Sequence, residues 1–318
     1  MPRSEAPDST VSIVIPTYDE VPRLLALLRS LAGLDAPTTG VQIIVVDDAS
    51  PDFDPGPVKE AGGRFSVELI RHSTNQGRAR ARNSGIRAAA GDVVVFLDSD
   101  MTVESDFLDW HLAHHRQTED TVVIGHIRFG PDIEDNRFNR YLDSRGVKRL
   151  QPGQEVPFNF FVTGNSSLPR SLLLRAGPFD EDFTAYGGED LELGYRLHRC
   201  GARFAYAPRA LSLHHHVRPF ASTCDLMYTY GRHSLPLLVD KHPELAGLLR
   251  LGHADEPLPR RLLRLVAMQP ALYAVLYRLG QWGLRSWTPD LLFSYLVWYR
   301  RTRGYFDAVG AQKLKNAQ

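Results

Sequence analysis

The sequence predicts an α/β fold in which a mostly parallel central sheet is flanked by helices and followed by a helical C-terminal extension. Short runs of β-branched and aliphatic residues alternate with helical segments through the first hundred residues, as in parallel sheets with crossover helices. The runs at 11–15, 41–46 and 93–97 carry no charged residue, which suits strands buried on both faces. Polar residues follow the ends of these runs, at the edge where open α/β sheets bind ligands.

A polar tail, residues 1–10, precedes the first predicted strand. We predict strands where β-branched residues cluster, and helices where leucine recurs at helical spacing or where alanine and arginine dominate. Gly33 and Gly91 follow the two predicted helices, where glycine often closes a helix. In chain order, the first half contains predicted strands at 11–15, 41–46, 67–70 and 93–97 and predicted helices around 24–31 and at 78–90.

The second half of the chain is less regular. Predicted strands lie at 121–129, 158–162, 203–206 and 210–213, and predicted helices lie at 171–176 and 189–200. From residue 223 onward the sequence is helical in pattern and rich in leucine, tyrosine and arginine. We therefore expect a tail over 1–10, an α/β domain over 11–220 and a helical extension over 221–318, in keeping with a length that suits about two domains.

The composition excludes several classes of protein. The 318 residues include 37 basic and 37 acidic side chains, and this formal net charge of zero argues against a nucleic-acid-binding protein. Cys200 and Cys224 have a spacing that fits neither a redox motif nor a zinc cluster, and we expect both to be buried. The N-terminus shows no apolar signal segment, and no uncharged apolar run approaches about 18 residues, so the sequence predicts a cytoplasmic protein.

Two aspartates separated by one residue follow the predicted strand at 93–97. Asp98-Ser99-Asp100 could hold Mg²⁺ or Mn²⁺ together with a ribose hydroxyl, because both ions prefer oxygen ligands and often bridge to substrate phosphates. Such triplets are also common in loops, so a turn with solvated aspartates is the alternative. We predict that the same edge of the sheet also carries Thr17, Tyr18, Asp47 and Asp48.

A second acidic pair, Glu189-Asp190, follows Gly187-Gly188 and opens a predicted helix. Acidic residues are common in a first helical turn because the helix dipole favours them, and this is the structural alternative. The functional interpretation is a general base on a rigid helix start, with the glycines leaving room for a substrate. The dipole would keep such a carboxylate ionised and would weaken it as a base.

Three histidines, His214-His215-His216, end a predicted strand. Strand alternation places the first and third on one face, where a neutral imidazole could ligate Mn²⁺ or a similar ion; partly exposed histidines are the alternative. The basic segment 75–83 could neutralise a diphosphate, although at least two of its three arginines would fit a solvated helix face. The chain contains no P-loop, no G-x-G-x-x-G after the first strand and no G-x-S-x-G.

The order and spacing of these motifs resemble those of the inverting family 2 glycosyltransferases, which have the GT-A fold. The resemblance extends from about residue 11 to residue 216, roughly two thirds of the chain, and says little after residue 220. The motifs that carry it are Val11–Glu20, Val45–Ser50, Asn75–Asn83, Phe96–Asp100, Thr163–Leu168, Gly177–Glu181, Gly188–Asp190 and His214.

The resemblance implies roles for individual residues. Asp190 would be the general base, and Glu189 would hold or orient the acceptor. Asp100 and His214 would be the protein ligands of a divalent cation, Mn²⁺ or Mg²⁺. The donor-binding residues would be Pro16, Thr17, Tyr18, Asp47, Asp48, Arg82, Asp98, Ser99 and Asp100. The acceptor or sugar pocket would include Asn165, Ser166 and Gly188.

The activity that the resemblance implies is hexosyl transfer with inversion, assisted by the metal. One sugar would move from a nucleoside-diphosphate sugar, UDP-linked by family habit, to a hydroxyl of a glycan, a lipid-linked sugar or a small molecule. The Q-x-x-R-W motif of processive polysaccharide synthases is absent, which favours a single transfer. Two alternatives stay open: a nucleotide-sugar-binding or glycan-binding module that has lost turnover, and a nucleotidyltransferase, which would need a glycine-rich loop after the first strand.

Residues 257–303 are basic and rich in aromatic side chains, with Asp290 as the single acidic residue. A basic amphipathic helical region can lie on an anionic bilayer, which would place the protein peripherally at the inner face of the membrane. The alternative is that the aromatic residues pack on the α/β domain or in a dimer while the arginines are solvated. The arginines are Arg260, Arg261, Arg264, Arg278, Arg285, Arg300, Arg301 and Arg303.

Overall fold

A computed structural model describes residues 9–35, 40–151, 154–251, 258–284 and 288–316. The chain divides into two compact units. Unit 1 contains the described residues up to Ile133 together with Arg145–Thr184 and Glu189–His216. Unit 2 contains Glu134–Ser144, Ala185–Gly188 and the described residues from Val217 onward. Residues 1–8 of the predicted tail and Arg285 of the arginine-rich region lie outside the described residues.

Unit 1 is built on one eight-stranded mixed sheet. The strands are β1 (Val11–Thr17), β2 (Val41–Asp47), β3 (Val67–Arg71), β4 (Val93–Leu97), β5 (Met101–Val103), β6 (Thr121–Phe129), β7 (Asn165–Pro169) and β8 (Arg203–His214). Their order across the sheet is β3-β2-β1-β4-β7-β6-β8-β5. The pairs β1–β2, β1–β4, β2–β3 and β6–β8 are parallel, whereas β4–β7, β6–β7 and β5–β8 are antiparallel. The prediction of a mostly parallel sheet with flanking helices is confirmed.

The helices of the described residues belong to both units. In chain order they are α1 (Val21–Ala32), α2 (Pro55–Ala61), α3 (Arg78–Ala88), α4 (Phe107–His115), α5 (Arg137–Asp143), α6 (Arg170–Ala176), α7 (Glu189–Arg199), α8 (Phe220–Thr229), α9 (Leu235–Lys241), α10 (Leu245–Leu248), α11 (Leu258–Ala267), α12 (Pro270–Trp282) and α13 (Asp290–Asn316). Short 3₁₀ turns lie at Gly146–Arg149 and Phe158–Phe160. The helical character predicted for the C-terminal extension is confirmed.

The sheet is apolar on both faces because helices cover both. Ile13 and Ile15 of β1 face a core completed by α1, α2 and α4. Val14 of β1 and Phe96 of β4 face a second core completed by α3, α6 and α7. All four side chains are fully buried, and each such burial contributes about 1.5–3 kcal/mol. Two cores of this kind hold the ends of the central strands in fixed positions.

The strand predicted at 158–162 is wrong. Phe158–Phe160 forms a 3₁₀ turn whose Phe160 N–H donates to Pro157 O, and Phe158 stacks on His198 of α7 with ring centroids 5.1 Å apart. The strand instead lies at Asn165–Pro169, where polar side chains hid it from pattern analysis. Those serines are buried because β7 lies between β4 and β6, so the position in the sheet overrides the composition.

Three further predictions needed correction. The strands predicted at 203–206 and 210–213 are one strand, β8, with an irregular register opposite Gly125 and His126 of β6. The short strand β5 and helices α2, α4 and α5 were missed because each is too short to show a clear hydrophobic period. Cys200 is exposed where α7 ends, whereas Cys224 is buried as expected.

Unit 2 has its own aromatic core. Phe138 of α5, Phe220 of α8 and Phe293 of α13 pack edge to face, with ring centroids 5.0, 5.2 and 5.6 Å apart. Edge-to-face packing suits the charge distribution of aromatic rings and adds about 0.5–1.5 kcal/mol per pair to their burial. Among the helices of the described residues, none is both long enough and apolar enough to cross a membrane.

A π-helix, Tyr230–Ser234, joins α8 to α9. Gly231 within it lies so close to α13 that a Cβ would come within 1.9 Å of Arg301 O. On α13, a Cβ on Gly304 would come within 2.3 Å of Tyr228 O. The two helical backbones therefore meet through a pair of glycines, and the chain after the π-helix buries Leu235 completely.

Candidate active site

Polar residues from several strands meet at one edge of the sheet of unit 1. Thr17 at the end of β1 is paired with Asp47 at the end of β2. The Asp98–Asp100 turn leads from β4 to β5, whose first residue, Met101, is paired with His214 at the end of β8. Strand pairing thus brings together groups that are more than a hundred residues apart in the sequence, at the edge where the sequence analysis expected a ligand.

Arg82 on α3 is buried among three carboxylates. Its Nη2 donates to Asp98 Oδ1 (3.0 Å), its Nη1 donates to Glu189 Oε1 (3.3 Å), and Nη1 also lies 3.7 Å from Asp190 Oδ1. Burial alone would lower the pKa of Arg82, but the charges of Asp190, Asp98 and Glu189 raise it well above its ordinary value. Arg82 therefore stays cationic. It joins α3, on which it lies, to the turn at Asp98 and to the start of α7.

Asp190 lies in the first turn of α7 and keeps 27% of its side chain exposed. Thr163 donates to both of its oxygens, through the backbone N–H to Oδ2 (3.2 Å) and through the hydroxyl to Oδ1 (2.9 Å). Burial raises the pKa of Asp190 to about 6; Arg82 opposes this rise, and Glu189 and Asp98 add to it. The helix dipole was expected to weaken Asp190 as a base, whereas burial and the neighbouring carboxylates raise its pKa.

Glu189, the neighbour of Asp190, is almost completely buried, with 3% of its side chain exposed. Its Oε1 accepts from Arg82 and lies 3.8 Å from Arg78 Nη1. Its Oε2 is buried and has no hydrogen-bond partner among the described residues. Glu189 thus faces the arginine cluster, and one of its oxygens stays available to a further donor.

Asp100 and His214 form the second cluster. Asp100 Oδ2 lies 3.0 Å from His214 Nε2, and Asp100 Oδ1 is buried with no hydrogen-bond partner among the described residues. Burial would raise the pKa of Asp100, but the hydrogen bond and charge of His214, with the charge of His216, hold it below its ordinary value. His215 points elsewhere, because its ring nitrogens contact Asp132 and Thr102.

The divalent cation expected at Asp100 and His214 needs protein side chains that can ligate it. The described residues contain no group of three or more histidine, cysteine, aspartate or glutamate side chains that could hold a metal ion. The pair itself nevertheless fits, since it offers a carboxylate with one unpartnered oxygen beside an imidazole nitrogen, and Mn²⁺ accepts both ligand types. The remaining ligands would have to come from substrate or water, as is usual for Mg²⁺ and Mn²⁺ at phosphates.

Some of the residues expected to bind the nucleotide are exposed, and others are buried. Tyr18 is 47% exposed and Pro16 is partly exposed, so both are open to a ligand. Thr17 is buried, and its hydroxyl has no hydrogen-bond partner among the described residues. Asp47 is fully buried, accepts from Ser50 N (3.2 Å) and lies 3.1 Å from Arg71 Nε. Ser99 is buried within the turn between the two aspartates.

Asp48 organises the start of α3. Its carboxylate accepts from Gln76 N (2.9 Å) and Gly77 N (2.7 Å), and it contacts His72 Nδ1 (2.7 Å). Gly77 has a φ of +88°, a conformation that favours glycine. Asp48 is itself buried, so its contacts fix the helix that carries Arg82. These contacts give Asp48 a positioning role beside the donor role expected from the sequence.

Asn165 and Ser166, expected in the sugar pocket, are fully buried in β7. The amide of Asn165 accepts from His111 Nε2 (2.8 Å) and donates to Ala210 O (3.0 Å) and Ser212 Oγ (2.9 Å). This network ties β7 to β8 and α4, which gives Asn165 a structural role. Gly188, which directly precedes Glu189 in the chain, has a φ of +104° and so needs glycine.

Sequence reasoning missed two residues of this region. Thr163 holds Asp190, and Gly164 lies so close to the acidic turn that a Cβ there would come within 3.2 Å of Asp98 Oδ2. Both belong to the motif Thr163–Leu168, so the signal was present. The motif does not say which of its side chains face the site, because that depends on where β7 begins.

The sequence of this chain is similar to known proteins of one family. The family model described as glycosyl transferase family 2 matches residues 12–177. A pre-mycofactocin glycosyltransferase of Mycobacterium tuberculosis is 33% identical over 243 residues, which cover 74% of this chain and 48% of that protein. The chain therefore spans about half the length of this curated relative.

Solved structures share the fold. The mannosyltransferase PcManGT from Pyrobaculum calidifontis, in complex with GDP-Man and Mn²⁺, matches with a TM-score of 0.62 at 20% identity, covering 96% of this chain and 91% of that one. S. aureus TarS 1-349 in complex with UDP-GlcNAc matches with a TM-score of 0.52 at 17% identity, covering 96% and 92%. At these identities the likeness concerns the fold, and it confirms the GT-A-like architecture.

Proposed function

The chain belongs to glycosyltransferase family 2, and we propose that it transfers one sugar from a nucleoside-diphosphate sugar to an acceptor hydroxyl with inversion at the anomeric carbon. The acidic turn at 98–100 would bind the donor, and Asp190 would act as the general base. The proposal rests on the geometry of unit 1 and on the family to which the chain belongs.

The observation that carries the proposal is the position of Arg82 between carboxylates with different proposed roles. Asp98, 3.0 Å from Arg82, would bind a ribose hydroxyl of the donor. Asp190, 3.7 Å from Arg82, would take the proton of the acceptor. One buried cation thus sets the distance between the donor side and the acceptor side. Such preorganisation supplies much of the rate in a reaction that joins two substrates.

In the proposed reaction, the acceptor oxygen attacks the anomeric carbon from the face opposite the leaving group while Asp190 accepts the hydroxyl proton. The new carbon–oxygen bond forms as the bond to the diphosphate oxygen breaks, and the nucleoside diphosphate leaves with both electrons of that bond. A single displacement inverts the anomeric centre without a covalent enzyme intermediate. A pKa near 6 makes Asp190 a stronger base than an ordinary aspartate and leaves it ionised at neutral pH.

Asp100 and His214 would hold a divalent cation, Mn²⁺ or Mg²⁺. When bound, the ion would offset the negative charge that develops on the leaving diphosphate. The unpartnered Oδ1 of Asp100 supports this assignment, because a buried carboxylate oxygen without a donor is costly unless something else binds it. The Mn²⁺ in the PcManGT complex also supports a divalent ion.

We propose UDP as the nucleotide of the donor. The UDP-GlcNAc complex of TarS supports this choice, and the GDP-Man complex of PcManGT makes GDP the competitor to test against it. For the acceptor, a hydroxyl of a glycan, a lipid-linked sugar or a small metabolite fits the proposed chemistry. The lack of a Q-x-x-R-W motif favours one transfer per acceptor.

A thermal-shift screen tests the donor. The melting temperature is measured with UDP-, GDP- and dTDP-sugars, each in Mn²⁺, Mg²⁺ or EDTA. A ligand at about 100 times its Kd stabilises the folded state by about 2.7 kcal/mol, which is a readable shift. We expect a metal-dependent shift with a UDP-sugar, and a shift with a GDP-sugar alone would replace UDP by GDP.

The anomeric configuration of the product tests the reaction. Proton NMR of the product should show the configuration opposite to that of the donor sugar. A product of the same configuration would contradict the single displacement. A donor that binds but releases no nucleotide with any acceptor would support a binding module that has lost turnover.

A further inference from the structure

Helix α11 of unit 2 presents its apolar face to solvent. Leu262, Leu263 and Val266 share one side of the helix and are 54%, 69% and 60% exposed. Arg264, on the opposite side, is partly buried and lies over the ring of Phe306 of α13, with its guanidinium carbon 6.0 Å from the centroid. A helix at the surface of a globular protein normally does the reverse and buries its apolar side.

Helix α12 also has an apolar face that is exposed to solvent. Its inner side packs on α13, where Tyr273 stacks on Tyr299 with ring centroids 4.2 Å apart. Its outer side carries a stripe of apolar residues at spacings of three, four and three, which lie on one side of a helix. These residues are Leu272, Val275, Leu279 and Trp282, and all are exposed.

The sequence of α11 and α12 carries charges of one sign. Residues 257–289 contain five arginines and neither aspartate nor glutamate. Arg278 is exposed on α12, one turn before Trp282. Exposed leucine, valine and tryptophan side chains beside the exposed Arg278 are complementary to a layer that is apolar inside and anionic outside. A second copy of this chain is a poorer partner, because a symmetric contact through these faces would oppose arginines to arginines.

We propose that α11 and α12 bind the surface of an anionic lipid bilayer. The apolar faces of the two helices would enter the boundary between headgroups and acyl chains, and the exposed Arg278 would lie at the level of the lipid phosphates. Attachment to α13 holds the helices in place, since Tyr295 of α13 donates to Ala267 O at the end of α11 (2.8 Å). The contact is interfacial and needs no membrane-spanning segment.

Vesicle sedimentation with the full chain tests the proposal. We expect the protein to sediment with vesicles of phosphatidylcholine and phosphatidylglycerol, to stay in solution with phosphatidylcholine alone, and to be released by salt, because the arginine contribution is electrostatic. The double variant L263Q/V266Q should lower the partition coefficient by about tenfold or more, since it removes two apolar side chains from the interface.

The matched control is Leu174→Gln, which replaces an equally exposed leucine (56%) on α6 of unit 1 and should leave partitioning unchanged. All variants should keep the melting temperature of the parent, because the substituted side chains are exposed. Equal partitioning of L263Q/V266Q and the parent would overturn the proposal. So would a parent that stays in solution with anionic vesicles, or a dimer in light scattering that the double variant dissociates, which would assign the face to a second copy.

Discussion

Thr163 contacts both oxygens of the Asp190 carboxylate, one through its backbone N–H (3.2 Å) and the other through its hydroxyl (2.9 Å). A carboxylate held at both oxygens keeps one orientation, which a general base requires. The hydroxyl contact also lowers the pKa of Asp190 and so opposes the burial that raises it to about 6. The strength of the proposed base therefore depends on a residue outside the acidic pair.

Thr163→Val is expected to shift the pH dependence of catalysis. In the parent, kcat/KM should fall as the pH drops through about 6, because Asp190 must be ionised to accept a proton. The variant loses the hydroxyl but keeps the backbone donor, so this acid limb should move up by about one pH unit, the equivalent of one charge-assisted hydrogen bond. Thr163→Ser should restore the parental profile. An unshifted limb would mean that Thr163 does not tune the base.

Asp190→Asn is expected to abolish transfer and to leave donor binding intact. The amide keeps the size of the side chain but cannot accept a proton, and loss of a general base lowers rates by about 10²–10⁴-fold. Turnover and donor affinity are measured on the same preparation. Asp109→Asn on α4, an exposed aspartate of unit 1, is the matched control. Retained turnover in Asp190→Asn would remove Asp190 from the proposed mechanism.

Asp100→Ala and His214→Ala are each expected to remove the metal dependence of donor binding. The two side chains lie 3.0 Å apart and would be the protein ligands of the ion. Calorimetric titration of the donor in Mn²⁺ and in EDTA should give different affinities for the parent and equal, weak affinities for both variants. Glu119→Ala, an exposed carboxylate, should behave as the parent. A variant that retains the Mn²⁺ effect would place the ion elsewhere.

Asn165→Ala is expected to act on stability before it acts on catalysis. It would leave the buried Nε2 of His111 without its acceptor and would open a cavity beside Gly125 of β6, at a cost of about 2–4 kcal/mol in the free energy of unfolding. Denaturant unfolding measures this, with the exposed Asn159→Ala as control. A variant of parental stability with impaired transfer would instead assign Asn165 to the sugar pocket.

Residues at the ends of strands could be predicted to share a site because strand ends meet at a sheet edge. Thr17, Asp47 and Asp98 each follow a run of uncharged apolar residues, and they lie at one edge in the structure. For these residues a local pattern is sufficient, because the sheet supplies the long-range geometry. The proximity of Asp100 to His214 was implied only by the family resemblance, because β5, whose Met101 pairs with His214, was not predicted.

Other features depend on packing that no local pattern records. Arg82 is one of four arginines on the short helix α3, and its burial depends on the acidic start of α7 more than a hundred residues later. The structural role of Asn165 depends on its contact with His111 of α4. That helix is too short to be predicted from the spacing of its hydrophobic residues. Their side chains are polar, so the hydrophobic period says nothing about their environment.

The π-helix at Tyr230–Ser234 bears on how the length of this segment can change during evolution. A π-turn accommodates one more residue than the α-helix it interrupts. Deleting that residue would restore regular helical hydrogen bonds but would rotate everything after it by about 100°. Leu235 and Leu238, now fully buried, would turn out of their positions. A change of length here would therefore expose core side chains, and we expect homologues of this chain to retain the length of this segment even where its sequence diverges.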